Sequence, residues 1–133
     1  MSETDTTTTR IIHATAASPE DRRLSVLAHM SSFLGYIIPF GQFLAPYTIQ
    51  LLRGPESDFV FAHTREVLNF QITIVALLLA GLVLSPLGIG WLVIAATLAH
   101  SMWQTIRGAR AASRTEPFEY PFTLRVLRDR PSA

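Results

Sequence analysis

Few side chains in this sequence could do chemistry, and two histidines lead them. His29 lies in a run of 29 residues, Leu24 to Leu52, that holds no formal charge when its imidazole is neutral. His100 is the one titratable group in the 40 residues from Val67 to Ile106. Imidazoles so placed can pass a proton, hold an ion or ligate a metal. They can also serve as hydrogen-bonding groups, alongside Ser25, Ser32, Asn69, Gln71 and Gln104. The last reading is preferred, because no carboxylate or cysteine is evident beside either histidine. No metal and no cofactor is expected. The chain has no cysteine, which excludes disulfides and thiolate catalysis. It shows no Ser/His/Asp constellation, phosphate loop or usefully spaced carboxylate pair. No catalytic residue is assigned and an enzyme is not expected, with a membrane enzyme using His29 or His100 kept as an alternative.

The elements that must position these residues follow from where charge is missing. Only 16% of the 133 residues are charged and 49% are hydrophobic, against roughly 25% charged in a soluble domain. The carboxylates and arginines fall in the two tails and in one loop, Arg53 to Glu66. Helices of a soluble protein need a charged outer face, so these uncharged runs point to lipid. An all-α integral membrane bundle is expected, with the bilayer as its surroundings. The net charge of +1 gives no reason to expect nucleic acid.

Forty apolar residues suit two spans of about 20 each. Pro86 and Gly88, in Ser85-Pro86-Leu87-Gly88, should break them into a hairpin. Ser57 or Asp58 can cap the first of the two. The earlier run is longer than one span and shorter than two. Pro39, Gly41 and Pro46 interrupt it, so it reads either as one kinked helix or as a short, re-entrant hairpin. Arginine placement separates these readings. One kinked helix gives three spans and divides the eleven arginines three against eight; two segments put all eleven on one side. Four hydrophobic segments are therefore expected, near 22–38, 42–53, 58–84 and 87–107. They form a multi-pass transmembrane domain over 22–107 with cytoplasmic termini. Residues 1–21 are expected to be a disordered polar tail without secretory signal character. Residues 108–133 are expected to be an arginine-rich, aromatic tail.

Three stretches carry a recognisable pattern. They are LAHMSSFLGYIIPFGQFLAP from Leu27, FAHTREVLNFQIT from Phe61 and FEYPFTLRVLRD from Phe118. Together they resemble a family of small bacterial membrane proteins of unknown function that includes the magnetosome proteins MamF and MmsF. That family is distantly similar to the inner-envelope import component of chloroplasts. The resemblance covers about residues 22 to 128. It implies a helical membrane bundle and brings no catalytic residues with it.

Within four segments, His29, Asn69, Gln71, His100 and Gln104 should share one polar layer near the cytoplasmic side. His63, Arg65 and Glu66 read as a solvated interfacial turn. The neighbours Arg65 and Glu66 are not expected to face each other, so Glu66 should meet an arginine elsewhere. Tyr120 and Arg125 read as interfacial groups in a non-helical segment. Small residues at helical spacing, Ala28 with Ser32 and Ser31 with Gly35, together with Gly81, favour close packing within the chain. The expected role is a structural or interaction component that forms a homo-oligomer or holds a membrane-protein partner. A subunit of a transport or translocation pore is the alternative.

Overall fold

The computed structural model describes residues 17–129, and all regular structure among them is helical. The expectation for residues 1–16 lies outside the described residues. The tail expected over 1–21 nevertheless ends sooner, because Ser18 and Asp21 form a capping box. Ser18 Oγ accepts from the Asp21 N–H (3.1 Å), and Asp21 Oδ2 accepts from the Ser18 N–H (3.2 Å). With Pro19 pre-set for the first turn, helix α1 runs Pro19–Met30. It tightens into a 3-10 turn, Ser31–Tyr36. Pro39 then removes a donor, Phe40 turns left-handed (φ 64°), and α2 runs Gly41–Arg53.

Two expectations are corrected here. Gly41 opens a helix rather than breaking one, and Pro46 sits inside α2. Proline in a helix interior loses one backbone bond, but Pro46 is buried and the helix continues past it.

Helix α3 spans Asp58–Leu84, with Ser57 accepting from the Val60 N–H. A 3-10 turn at Ser85–Leu87 contains Pro86. Gly88 follows at φ 80°, where a Cβ would be strained. Helix α4, Ile89–Ser113, continues beyond the expected end at Arg107. α3 and α4 are an antiparallel hairpin in which Gly81 packs directly against Gly90. A Cβ on Gly90 would lie 2.1 Å from the Gly81 carbonyl. The small residue at position 81 therefore serves packing within the chain, as expected.

Arg53 Nε reaches Asp21 Oδ1 at 2.8 Å. This ion pair brings the start of α1 beside the end of α2, so the first two helices fold back on each other. A single kinked helix would hold those ends a full helix length apart. The α1–α2 hairpin is also the shorter one. α2 is about 20 Å long, against about 40 Å for α3 and 37 Å for α4 at 1.5 Å per residue. Tyr36 bonds Ser101 (2.9 Å), so the tip of the first hairpin meets α4 near its middle. Among the described residues one helix, Asp58–Leu87, is long and apolar enough to cross a membrane.

The interior is unusually polar. Ala28, Val67, Phe70, Ile74 and Tyr120 form a small apolar core. Around it, Ser25, His29, His63, Glu66, Asn69 and Thr105 are all buried. Large apolar side chains face outward instead, among them Leu52, Leu82, Val83, Trp91 and Leu92. Every described arginine lies at the end of the bundle opposite the Ser85–Gly88 turn.

Candidate functional site

After Ser113 the chain turns back and lies along α3 as an irregular strap, residues 114–129. Extended chain with prolines at 117 and 121 has no ladder to satisfy its backbone donors. Side chains of α3 do so instead. Glu66 Oε2 accepts from the Tyr120 N–H (3.1 Å), and Thr73 Oγ1 accepts from the Leu124 N–H (2.9 Å). Asn69 holds both backbone groups of Leu127: Oδ1 accepts from its N–H (2.7 Å) and Nδ2 donates to its carbonyl (2.9 Å). Glu66, Asn69 and Thr73 stand three and four residues apart, so one face of α3 presents all three. The motif around Glu66–Gln71 and the motif around Tyr120–Arg125 are two halves of one contact.

Charge reinforces the seat. Arg125 pairs with Glu66, and Arg65 pairs with Asp129. The arginine expected to meet Glu66 from elsewhere is Arg125. Arg65 also reaches Glu66 at 3.4 Å. Adjacent helical positions do diverge, but the long guanidinium arm bends back far enough. His63, Arg65 and Glu66 were expected to be solvated; they are 2%, 9% and 1% exposed. The strap covers them, which corrects that expectation. Tyr120, expected at the interface, is 1% exposed and stacks on Phe70 with ring centroids 3.9 Å apart. Arg125 does remain partly exposed, with its guanidinium turned to Glu66.

Beneath the strap lies a relay of hydrogen bonds. His63 Nε2 meets the Glu116 carbonyl at 3.0 Å, His63 Nδ1 meets His29 Nε2 at 2.9 Å, and His29 Nδ1 meets Tyr120 Oη at 2.6 Å. A carbonyl can only accept, which assigns the proton on His63 to Nε2. With neutral rings, His63 Nδ1 must then accept from His29 Nε2–H, and His29 Nδ1 from the Tyr120 hydroxyl. Burial pushes the Tyr120 phenol above its usual range, so it keeps the proton it donates. Gly108 makes room for this contact; a Cβ there would come within 2.4 Å of His29 Nδ1.

The five residues expected in one polar layer take separate places. Asn69 holds the strap, and His29 pairs with His63 opposite Gly108 rather than with His100. His100 is half-buried and its ring lies 6.2 Å from that of Phe70. Gln104 Oε1 accepts from Arg107 (3.2 Å). Gln71 lines a cavity of about 100 Å3 with Ser32, Gln42, Ser101 and Thr105. Ser32 Oγ and Gln42 Oε1 have no protein partner there, and the space is ample for a few waters. Among the described residues, no group of three or more His, Asp or Glu could hold a metal ion.

Sequence reasoning missed Thr73, Thr105, Asp129 and the inward role of Tyr120. The signal for Thr73 was present, because His63, Glu66, Asn69 and Thr73 form a polar stripe at helical spacing.

A family model described as the magnetosome magnetite crystal formation protein family, MamF_MmsF, matches residues 20–127. The chain belongs to that family. Neither a curated protein nor a solved structure matches it. The MamF_MmsF match begins in the first turn of α1 and ends at Leu127, the last strap residue that Asn69 holds. The MamF_MmsF unit is thus the four helices together with the strap.

Proposed function

We propose that this protein is a multi-pass component of the bacterial inner membrane, associated with the magnetosome and structural or interactive rather than catalytic. All four helical segments lie within the bilayer, the first pair as a shallow hairpin, with both termini cytoplasmic. A homo-oligomer or a second membrane protein is its partner class. The family's tie to magnetite crystal formation then implies a scaffolding contribution to that process.

One observation carries this reading: the distribution of side chains is the inverse of a soluble protein's. Polar groups fill the interior, large apolar groups cover the outside, and the described arginines gather at one end, as the positive-inside rule requires of a cytoplasmic face. Both ring nitrogens of His29 and of His63 are engaged, which supports hydrogen-bonded architecture over catalysis.

The test uses the absence of cysteine. Single cysteines at Glu56, Ser85 and Ser113 would be exposed to a membrane-impermeant thiol reagent in spheroplasts. Labelling at Ser85 alone is expected, with Glu56 and Ser113 reacting only after permeabilisation. A fourth cysteine at Gln42 should resist labelling on both sides, because the first hairpin ends part-way along α4. Labelling of Glu56 in intact spheroplasts, with Ser113 protected, would sink the topology.

A further inference from the structure

We propose that the strap is a membrane-inserted element, its tip immersed among lipid acyl chains and its flanks held by anionic headgroups. The inference rests on the membrane reading above and adds a lipid-binding surface to it.

Three observations converge. The first is satisfaction of the backbone. Irregular chain enters the hydrocarbon region only where protein meets its polar groups. The N–H groups of Tyr120, Leu124 and Leu127 are met by Glu66, Thr73 and Asn69. Among the described residues the Phe122 and Thr123 N–H groups have no such partner, so at the tip it is the side chains rather than the backbone that enter the lipid.

The second is depth. Tyr120 packs beside Gly108 of α4, whose neighbour Arg107 is exposed. Leu124 bonds Thr73, which lies seven residues further along α3 than Glu66, the partner of the Tyr120 N–H. At 1.5 Å per residue the tip is about 10 Å deeper than that point. This matches the roughly 5–10 Å by which interfacial elements sink below the headgroups.

The third is the chemistry of the exposed face. Phe122 is 92% exposed at the tip, where the chain turns through a left-handed φ of 55°. Leu124 and Val126 also point outward, each 57% exposed. Strain at a bulky residue and an exposed phenylalanine are both unfavourable in water; lipid removes the second cost. Arg110 and Arg114 at the end of α4 and Arg128 at the end of the strap are exposed, and they outnumber the exposed Glu116 and Glu119 on the same stretch. A cationic collar above an apolar wedge is complementary to an anionic lipid surface.

The experiment is depth measurement with a nitroxide attached at Phe122→Cys. The full chain would be reconstituted in vesicles of equal parts phosphatidylcholine and phosphatidylglycerol. Collision with oxygen reports the acyl region and collision with a nickel chelate reports water. Labels at Leu82→Cys and Glu56→Cys provide the lipid and aqueous references, and Val126→Cys repeats the strap measurement. Oxygen access at Phe122 resembling Leu82, with nickel access several-fold below Glu56, is the expected result. Nickel access at Phe122 equal to Glu56, with Leu82 still protected, overturns the insertion and leaves the membrane reading standing. Nickel access at Leu82 as well overturns the membrane reading itself. A Phe122 label shielded from both reagents means that protein covers the tip, and lipid is then the wrong occupant.

Discussion

Replacing Asn69 with leucine isolates the strap from the rest of the fold. Leucine has the same number of side-chain heavy atoms and the same branch point, although it is bulkier, so the buried position stays filled while both bonds to Leu127 disappear. Hydrogen bonds between membrane elements average about 0.6 kcal/mol. Leaving a buried polar group unpaired costs about 1–3 kcal/mol. Here two backbone groups lose their partner, but fraying of the strap can return them to solvent and limits the damage. A local destabilisation of about 2 kcal/mol is expected, which is roughly a 30-fold shift toward the open strap. Amide hydrogen exchange of the protein in detergent micelles reads this directly. Exchange at Tyr120, Leu124 and Leu127 should accelerate by about that factor, since local opening sets their protection. Amides in the α3–α4 hairpin near Gly81 and Ile94 should keep their rates, because they share no bond with Asn69. Unchanged exchange in the strap would refute the idea that Asn69 holds it. Equal acceleration throughout the bundle would refute the strap's independence.

Gly108→Ala should lower the thermal midpoint in detergent, because its Cβ would meet His29 Nδ1 at 2.4 Å and Tyr120 Oη at 2.9 Å. Overpacking of this kind costs about 1–3 kcal/mol. Gly88→Ala, which meets nothing within 4 Å, should cost only the backbone strain of a side chain at φ 80°, about 1–3 kcal/mol. Equal midpoints for Gly108→Ala and the unaltered protein would remove the close contact on which the relay depends. For Asp21, burial pushes the carboxyl up, but the Arg53 guanidinium and the Ser18 N–H outweigh it and hold it below its ordinary value of 3.8. A depressed carboxyl stabilises the fold above its unfolded pKa, and that contribution is lost as pH falls below about 3.8 through the folded value. Asp21→Asn keeps an oxygen for the Ser18 N–H but loses the charge facing Arg53, so it should cost up to about 1 kcal/mol at neutral pH. It should also flatten the acid limb of the midpoint against pH. An unchanged acid limb would show that Asp21 does not couple to folding.

The sequence by itself determined the helices. Ser57 as cap, the break at Ser85–Gly88 and the turn at Pro39 are local chemistry, and α3 appears with the bounds expected, 58–84. Its charge distribution also indicated that α1 and α2 should be separate segments, which the Asp21–Arg53 pair bears out as a fold-back. Helix ends are legible because capping groups and breakers act within a few residues of themselves. The position of Pro46 was misread for the same reason, since burial in the bundle outweighs a local penalty. Only the tertiary structure decided what the polar residues do. His29 meets His63 across 34 positions, Glu66 meets Arg125 across 59, and Asn69 meets Leu127 across 58. Nothing in the spacing of either partner specifies such a meeting. His63, Glu66 and Tyr120 therefore read as surface groups until the strap is seen to fold over them. An irregular chain of prolines and aromatics has unsatisfied donors and apolar rings but no periodicity to aim them. Its place was settled by the one face of α3 that offered a carboxylate, an amide and a hydroxyl in a row.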